Sequence, residues 1–339
     1  NYYETVPSND LELALWLEAD RMGWLLPAMD QEKLDNQRDV VKNEKRQRYD
    51  NQPYGDWSER LQKLMYPAGH PYRHTVIGSM EDLDAASLED VESFFRTYYV
   101  PNNAVLTVAG DFDSAATLDL VARYFGEIPA GPPPPLPADP TVPPKLGGTV
   151  REHVVSDVPL PRLIMAFRVP PFAAEEFPVA EVSRALLGMG RASRLYRSLV
   201  RERRVAKSVV SYVYPLLSGA SMMLVWATGY PGGDLGGLEA ALSEELEALA
   251  GAEQSEVERA IALAETDLVH TLERVSGRAD LLSMFELYFD DPDRLNRELD
   301  RLRQVTVEQI RAFSAERLGP DNRAVLTYEP KDQGSEEGR

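Results

Sequence analysis

The 339-residue chain contains no cysteine. Disulfides, thiol nucleophiles and cysteine-ligated zinc are therefore excluded, and the redox character of its compartment is left open. Long apolar runs are also missing. Stretches such as MMLVWA at 222–227 fall far short of the roughly 20 residues of a membrane-spanning helix, so no membrane span is expected. Basic residues are in deficit, with 36 Lys plus Arg against 55 Asp plus Glu and a net charge of −19. Affinity built on phosphate neutralisation needs the opposite balance, which argues against nucleic acid as a partner. An acidic surface favours cationic peptides, although solubility alone explains it as well. Histidine is scarce, with four residues in all.

A length of 339 residues at about 150 per domain predicts two domains, each able to bury its own core. Residues 130–144, AGPPPPLPADPTVPP, hold eight prolines in fifteen positions and read as a semi-rigid extended linker. The expected organisation is a first domain over 1–129, the linker over 130–147, a second domain over 148–330 and a polar tail over 331–339. Apolar periodicity predicts helices at 9–22, 30–49, 57–65, 87–98 and 114–125 in the first domain, with a strand at 103–110. In the second it predicts a strand at 162–169, a helix at 175–187, a hairpin around 216–220, and helices at 237–249, 254–274 and 306–317. Strands and helices mix without βαβ alternation. The fold class is therefore α+β, with a mostly antiparallel sheet and helices on one face of it.

The two domains are related. SLEDVESFFRTYYVPNNAVLTV (87–108) matches TVEQIRAFSAERLGPDNRAVLTY (306–328) at an offset of 219, pairing Phe94 with Phe313, Pro101 with Pro320 and Asn103 with Asn322. QRDVVKNE (37–44) matches ERAIALAE (258–265) more weakly at an offset of 221. If the copies are equal units, about 70 residues of the first are expected before Asn1.

Few residues carry chemistry by pattern alone. His70 and His74 lie in a turn-rich loop, PAGHPYRHTVIG, where packing or surface roles outweigh metal binding. His153 belongs to no motif, and His270 opens HTLER, which lacks the second histidine of an HxxEH site. GMGRAS (188–193) follows a helix and reads as a helix–helix turn, not a phosphate loop. On helix 30–49, Leu34, Gln37, Val41, Glu44 and Arg48 share one face. A carboxylate on a core-facing stripe is costly unless paired or bound to a cation. Spacing alone favours an ordinary solvated helix for this segment.

NYYETVPSNDLELALWLEADRMG, LDNQRDVVKNEKRQRYDNQPYG and the stretch from HPYRHTVIG to VAGDFD together resemble the pitrilysin/insulinase-like zinc peptidases. The similarity is greatest to bacterial members akin to mitochondrial processing peptidase, and LLGMGRASRLYRSLVRER (186–203) resembles the family's second domain. The resemblance covers nearly the whole chain and implies a duplicated α+β half of a zinc metalloendopeptidase. In that family zinc is held by an HxxEH helix and a glutamate about 75 residues downstream. The match of VVKNE makes Glu44 that third ligand and places HxxEH roughly 30 residues before Asn1. The 339-residue chain is then expected to be inactive and a poor zinc binder by itself. Gln37 stands where many relatives carry a second glutamate, in reach of a supporting hydrogen-bond role. Arg201 matches a substrate-binding arginine, while Lys207 occupies the place of its partner tyrosine. The resemblance further implies a peptide substrate, a second half supplied by fusion or by a homo- or heterodimer, and a periplasmic or secreted setting. The alternative is a non-catalytic homologous subunit that supports a peptidase or larger complex.

Overall fold

Helix-forming stretches punctuated by turn residues organise the whole first third of the chain. The computed structural model describes residues 1–135 and 138–331. Leu136 and Pro137 of the expected linker, and the expected tail from Asp332 onward, lie outside the described residues. The first elements are α1 (Leu11–Ala28), α2 (Gln31–Lys45), α3 (Trp57–Met65), α4 (Met80–Ala85), α5 (Leu88–Tyr98) and α6 (Ser114–Phe125). Then come β1 (Gly148–Ser156), β2 (Arg162–Val169), α7 (Phe177–Gly188), β3 (Ser208–Tyr214) and β4 (Ser221–Thr228). The chain continues through α8 (Leu235–Ala248), α9 (Gln254–Glu273), α10 (Val275–Phe289), α11 (Glu298–Arg303), α12 (Val307–Arg317) and β5 (Asn322–Pro330).

One expected strand does not form. Asn103 closes a 3-10 turn and Ala104 is extended (φ −131°, ψ 146°), but the stretch through 110 has no ladder partner among the described residues. A strand exists through its neighbour's hydrogen bonds, and an alternating sequence pattern does not supply the neighbour.

The strands pair in the order β1-β5-β2-β4-β3, with β1 and β5 parallel and the other pairs antiparallel. Central β2 is covered on both faces, which is why RLIMAFRV reads as a continuous apolar run. Edge strand β3 instead alternates, burying Val209, Ser211 and Val213 while exposing Ser208, Val210 and Tyr212. Helices α7, α8 and α12 cover the face that carries Ser211 and Arg323. There Ser211 Oγ donates to Arg184 O at 2.7 Å, and Arg323 Nη1 donates to Ser243 Oγ at 3.0 Å.

The opposite face is covered by residues 54–72. Leu61 and Met65 of α3 have no solvent exposure and pack in one core with Ile164, Leu224 and Leu326. Each such side chain contributes about 1.5–3 kcal/mol on burial. Polar groups pin the layer. Tyr54 Oη donates to Leu160 O, and Tyr66 Oη to Ala220 O, both at 2.7 Å. Tyr328 Oη donates to Asp56 at 2.6 Å. Buried Arg168 is satisfied by carbonyls, its Nε donating to Met65 O and its Nη1 to Pro143 O, each at 3.0 Å.

In space the described chain divides into two compact units. Unit one holds residues 1–45, 77–135 and 268–298, and unit two holds 46–76, 138–267 and 299–331. The linear boundaries at 129 and 148 follow the sequence repeat, whereas compactness follows an exchange. Segments 46–76 and 268–298 are equal in length, and both their starts and their ends lie 222 residues apart. That spacing is close to the offset of the repeat. Each copy thus gives the corresponding segment to the other copy's unit, with α3 in the donated part of one and α10 in that of the other. Within unit one, Ser283 Oγ of α10 donates to Thr107 Oγ at 2.7 Å, on the stretch that corresponds to β5 in the repeat.

The repeat also holds in local detail. Ser87 caps α5 and Thr306 caps α12, and each forms a reciprocal capping box with the residue three positions on, Asp90 and Gln309.

Candidate functional site

Helix α2 begins where Asp30 Oδ1 accepts the Lys33 backbone N–H at 2.8 Å. One face of α2 is tied down. Arg38 donates to Leu83 O at 2.9 Å and Ala86 O at 2.8 Å, and forms an ion pair with Asp35. Lys42 pairs with Asp84. Gln37 and Glu44 lie on a different stripe, between about 100° and about 160° around the helix from Arg38 and Lys42, at about 100° per residue. Seven residues separate them, so they differ by only about 20° in direction and about 10.5 Å along the axis. Gln37 is exposed and Glu44 half-buried. Of the apolar residues on α2, Leu34 is buried while Val40 is 48% exposed. The helix is thus largely solvated, as its polar composition requires.

Beyond Lys45 the helix widens into a π-helical turn at Arg46–Asp50, closed by Asn51 N–H donating to Arg46 O at 2.9 Å. Gly55 then passes against Tyr49 O so closely that an added Cβ would sit 1.9 Å from that oxygen.

The histidines are engaged elsewhere. His70 is buried and stacked on Tyr66, with ring centroids 4.7 Å apart. Its Nδ1 accepts the Tyr72 N–H at 3.0 Å, so its Nε2 carries the proton donated to Pro140 O at 2.9 Å. His153 lies on β1 beside Thr327 and Glu329. His74 and His270 are exposed on separate elements. Among the described residues no three His, Asp or Glu side chains gather as a metal-binding group. Tetrahedral zinc in a protein takes three or four nitrogen, sulfur or carboxylate donors. The described residues by themselves therefore do not supply a complete zinc donor set.

Arg201 is exposed on a π-helical stretch, Tyr196–Glu202, that leads into β3. Lys207, also exposed, begins the strand pairing, its backbone N–H donating to Thr228 O at 2.7 Å. GMGRAS is a turn after α7, with Gly190 at φ 77°. Gly188 is pressed so close to Ser211 that a Cβ would lie 2.3 Å from its Oγ, so close packing accounts for this glycine.

Arg162 belongs to no sequence motif, and only the folded sheet singles it out. It opens β2 with its guanidinium 3.6 Å from the Tyr54 ring centroid, and its Nε has no hydrogen-bond partner among the described residues. A charge at the mouth of the apolar run RLIMAFRV is the one signal of it in the sequence.

A family model described as the peptidase M16 inactive domain matches residues 85–263, more than half of the chain. The chain belongs to the peptidase M16 family. The Helicobacter pylori zinc protease PqqE is 29% identical over 285 residues, covering 83% of this chain and 63% of that protein. An uncharacterized zinc protease of Mycobacterium leprae is 28% identical over 325 residues, covering 94% of this chain and 70% of the relative. This M16 chain thus spans a little under two thirds of PqqE. The crystal structure of a protease from Helicobacter pylori superposes with a TM-score of 0.85 at 26% identity, over 96% of this chain and 78% of that one. Its likeness to a solved M16 relative therefore extends across the α+β architecture described above.

Proposed function

We propose that this M16 chain is part of a zinc metalloendopeptidase that encloses peptides or unfolded polypeptides between two homologous halves. Glu44 is one of three zinc ligands in the complete protein, and an HxxEH segment roughly 30 residues before Asn1 provides the other two. The observation that carries this reading is the geometry of α2. Its Arg38 and Lys42 side is anchored to 83–86, and the stripe bearing Gln37 and half-buried Glu44 is turned away from those anchors. Zinc proteases among the relatives support the same reading. In this reading Gln37 orients the site through hydrogen bonding, and Arg201 meets the peptide. The second half comes from a fused segment or a partner chain, in a homo- or heterodimer.

The test is Glu44→Gln in the complete protein. Zinc content and peptide hydrolysis should both be lost, and retention of both would remove Glu44 from the metal site.

A second reading, a non-catalytic subunit that holds substrate for a partner, draws on two observations. The matching family model is that of the inactive domain, and residue 207, where the family resemblance implies a substrate-binding tyrosine, is Lys. A complete protein whose HxxEH histidines are replaced would establish this reading and exclude the first.

A further inference from the structure

Residues 191–207 carry seven arginines and lysines against one acid, Glu202, in a chain whose net charge is −19. Some of these cations are neutralised locally. Arg194 pairs with Glu256 at 2.5 Å, Arg203 pairs with Glu244 at 2.6 Å and Glu245 at 3.3 Å, and Arg197 approaches Glu202 at 4.0 Å. Arg201, Arg204 and Lys207 are exposed and meet no carboxylate in an ion pair among the described residues.

The loop that presents them is fixed. Arg204 holds a left-handed backbone at φ 54°, unusual for a side chain of its size. The N–H groups of Val205 and Ala206 both donate to Leu199 O, at 3.0 and 3.1 Å, and Ala206 is fully buried. Lys207 then docks on Thr228 O. Thr228 pairs with Ser208 on one side and Arg162 on the other, so the loop and Arg162 share one end of the sheet. Arg162 is a half-buried cation that also has no carboxylate partner among the described residues. Burial lowers its pKa, opposed only by Tyr54 and Tyr328. An unneutralised, partly desolvated guanidinium gains most from an anion brought in from outside. Two strands over, with β4 between them, edge strand β3 exposes Ser208, 51% of Val210 and 44% of Tyr212, a surface suited to an extended polypeptide.

We infer that this end of the unit-two sheet, formed by Arg162, Arg201, Arg204 and Lys207, captures acidic side chains of an extended peptide lying along β3. The inference rests on the peptide-binding reading above and names the substrate class. It runs opposite to the cationic peptides that net charge alone would favour.

The experiment measures binding of three labelled peptides of equal length, one Glu-rich, one Ser/Gly-rich and one Lys-rich, to the full chain by fluorescence anisotropy. It repeats the measurement with Arg204→Asn/Lys207→Gln, in which asparagine tolerates the left-handed backbone. The expected result is preference for the Glu-rich peptide, weakened roughly tenfold by the double variant, with the Ser/Gly-rich peptide unaffected. Arg162→Met, which keeps the stem packed on Tyr54, should lower the same preference. Binding of all three peptides alike, unchanged in the variants, would overturn the acidic preference and leave the peptide-binding reading standing. Binding of none would overturn both. Equal capture of an oligonucleotide of matched charge would show a general anion site and overturn the peptide assignment.

Discussion

Asn103 and Asn322, 219 residues apart, make the same hydrogen bond. Each Nδ2 donates to the carbonyl five residues upstream, Tyr98 O in one copy and Arg317 O in the other, at 2.8 Å in both. With the matching capping boxes at Ser87 and Thr306, this fixes the helix–turn–extended unit of the repeat at its start and at its turn. Past the turn the two copies diverge. From Asn322 the chain runs in β5 between two strands, and after Asn103 it forms no ladder among the described residues.

The two asparagines should therefore differ in cost. Asn322 is fully buried. Its Nδ2 also donates to Arg168 O at 2.8 Å, and its Oδ1 accepts from Leu146 N–H at 3.2 Å and Arg168 N–H at 3.3 Å. Asn322→Ala strands several buried backbone groups and should destabilise by roughly 3 kcal/mol, whereas Asn103→Ala should cost about 1 kcal/mol. Urea unfolding of both variants checks the difference, and equal costs would contradict it.

The layer donated by residues 46–76 should be as important to unit two as its own helices. Leu61→Ala should cost about 2–5 kcal/mol, because the side chain is enclosed between α3 and the sheet. Gly55→Ala should also destabilise, since its Cβ would overlap Tyr49 O, whereas Gly251→Ala, with open space around it, should not. Thermal melts of the three variants compare them directly.

These sites show how far the sequence can be read. The repeat, β2 and the β3–β4 hairpin are legible because each is written in local spacing and turn chemistry. The cover of one sheet face by α3 is not legible. Leu61 and Met65 announce an apolar helix face, but nothing in their spacing says which sheet it meets. The 103–110 stretch shows the same limit, since strand pattern does not name a partner. The role proposed for Glu44 rests on family resemblance alone, because on spacing it sits on an ordinary polar helix. Arg162 needs the folded sheet to show that its charge is unneutralised.

Acid should weaken unit two partly through Glu256. Burial pushes this carboxyl up, but its two hydrogen bonds with Arg194, at 2.5 and 3.0 Å, and the Glu253 N–H outweigh burial and hold it below the ordinary value. The folded carboxyl thus binds fewer protons than the unfolded one in the window below about pH 4.3. Its contribution is fully present above that window and is lost as pH falls through the lowered native value. Glu256→Gln should therefore flatten this part of the stability profile, measured as denaturant midpoint against pH. An unchanged slope would contradict the assignment.

The proposed zinc site stands or falls on Glu44 acting together with ligands that precede Asn1. The direct measurement is zinc stoichiometry, by metal analysis after dialysis, on the 339-residue chain, on a chain extended by about 70 upstream residues, and on the extended Glu44→Gln variant. Zinc should be retained by the extended chain alone, with loss from both the short chain and the variant. Zinc held equally by the extended Glu44→Gln protein, or by the 339-residue chain, would contradict the assignment.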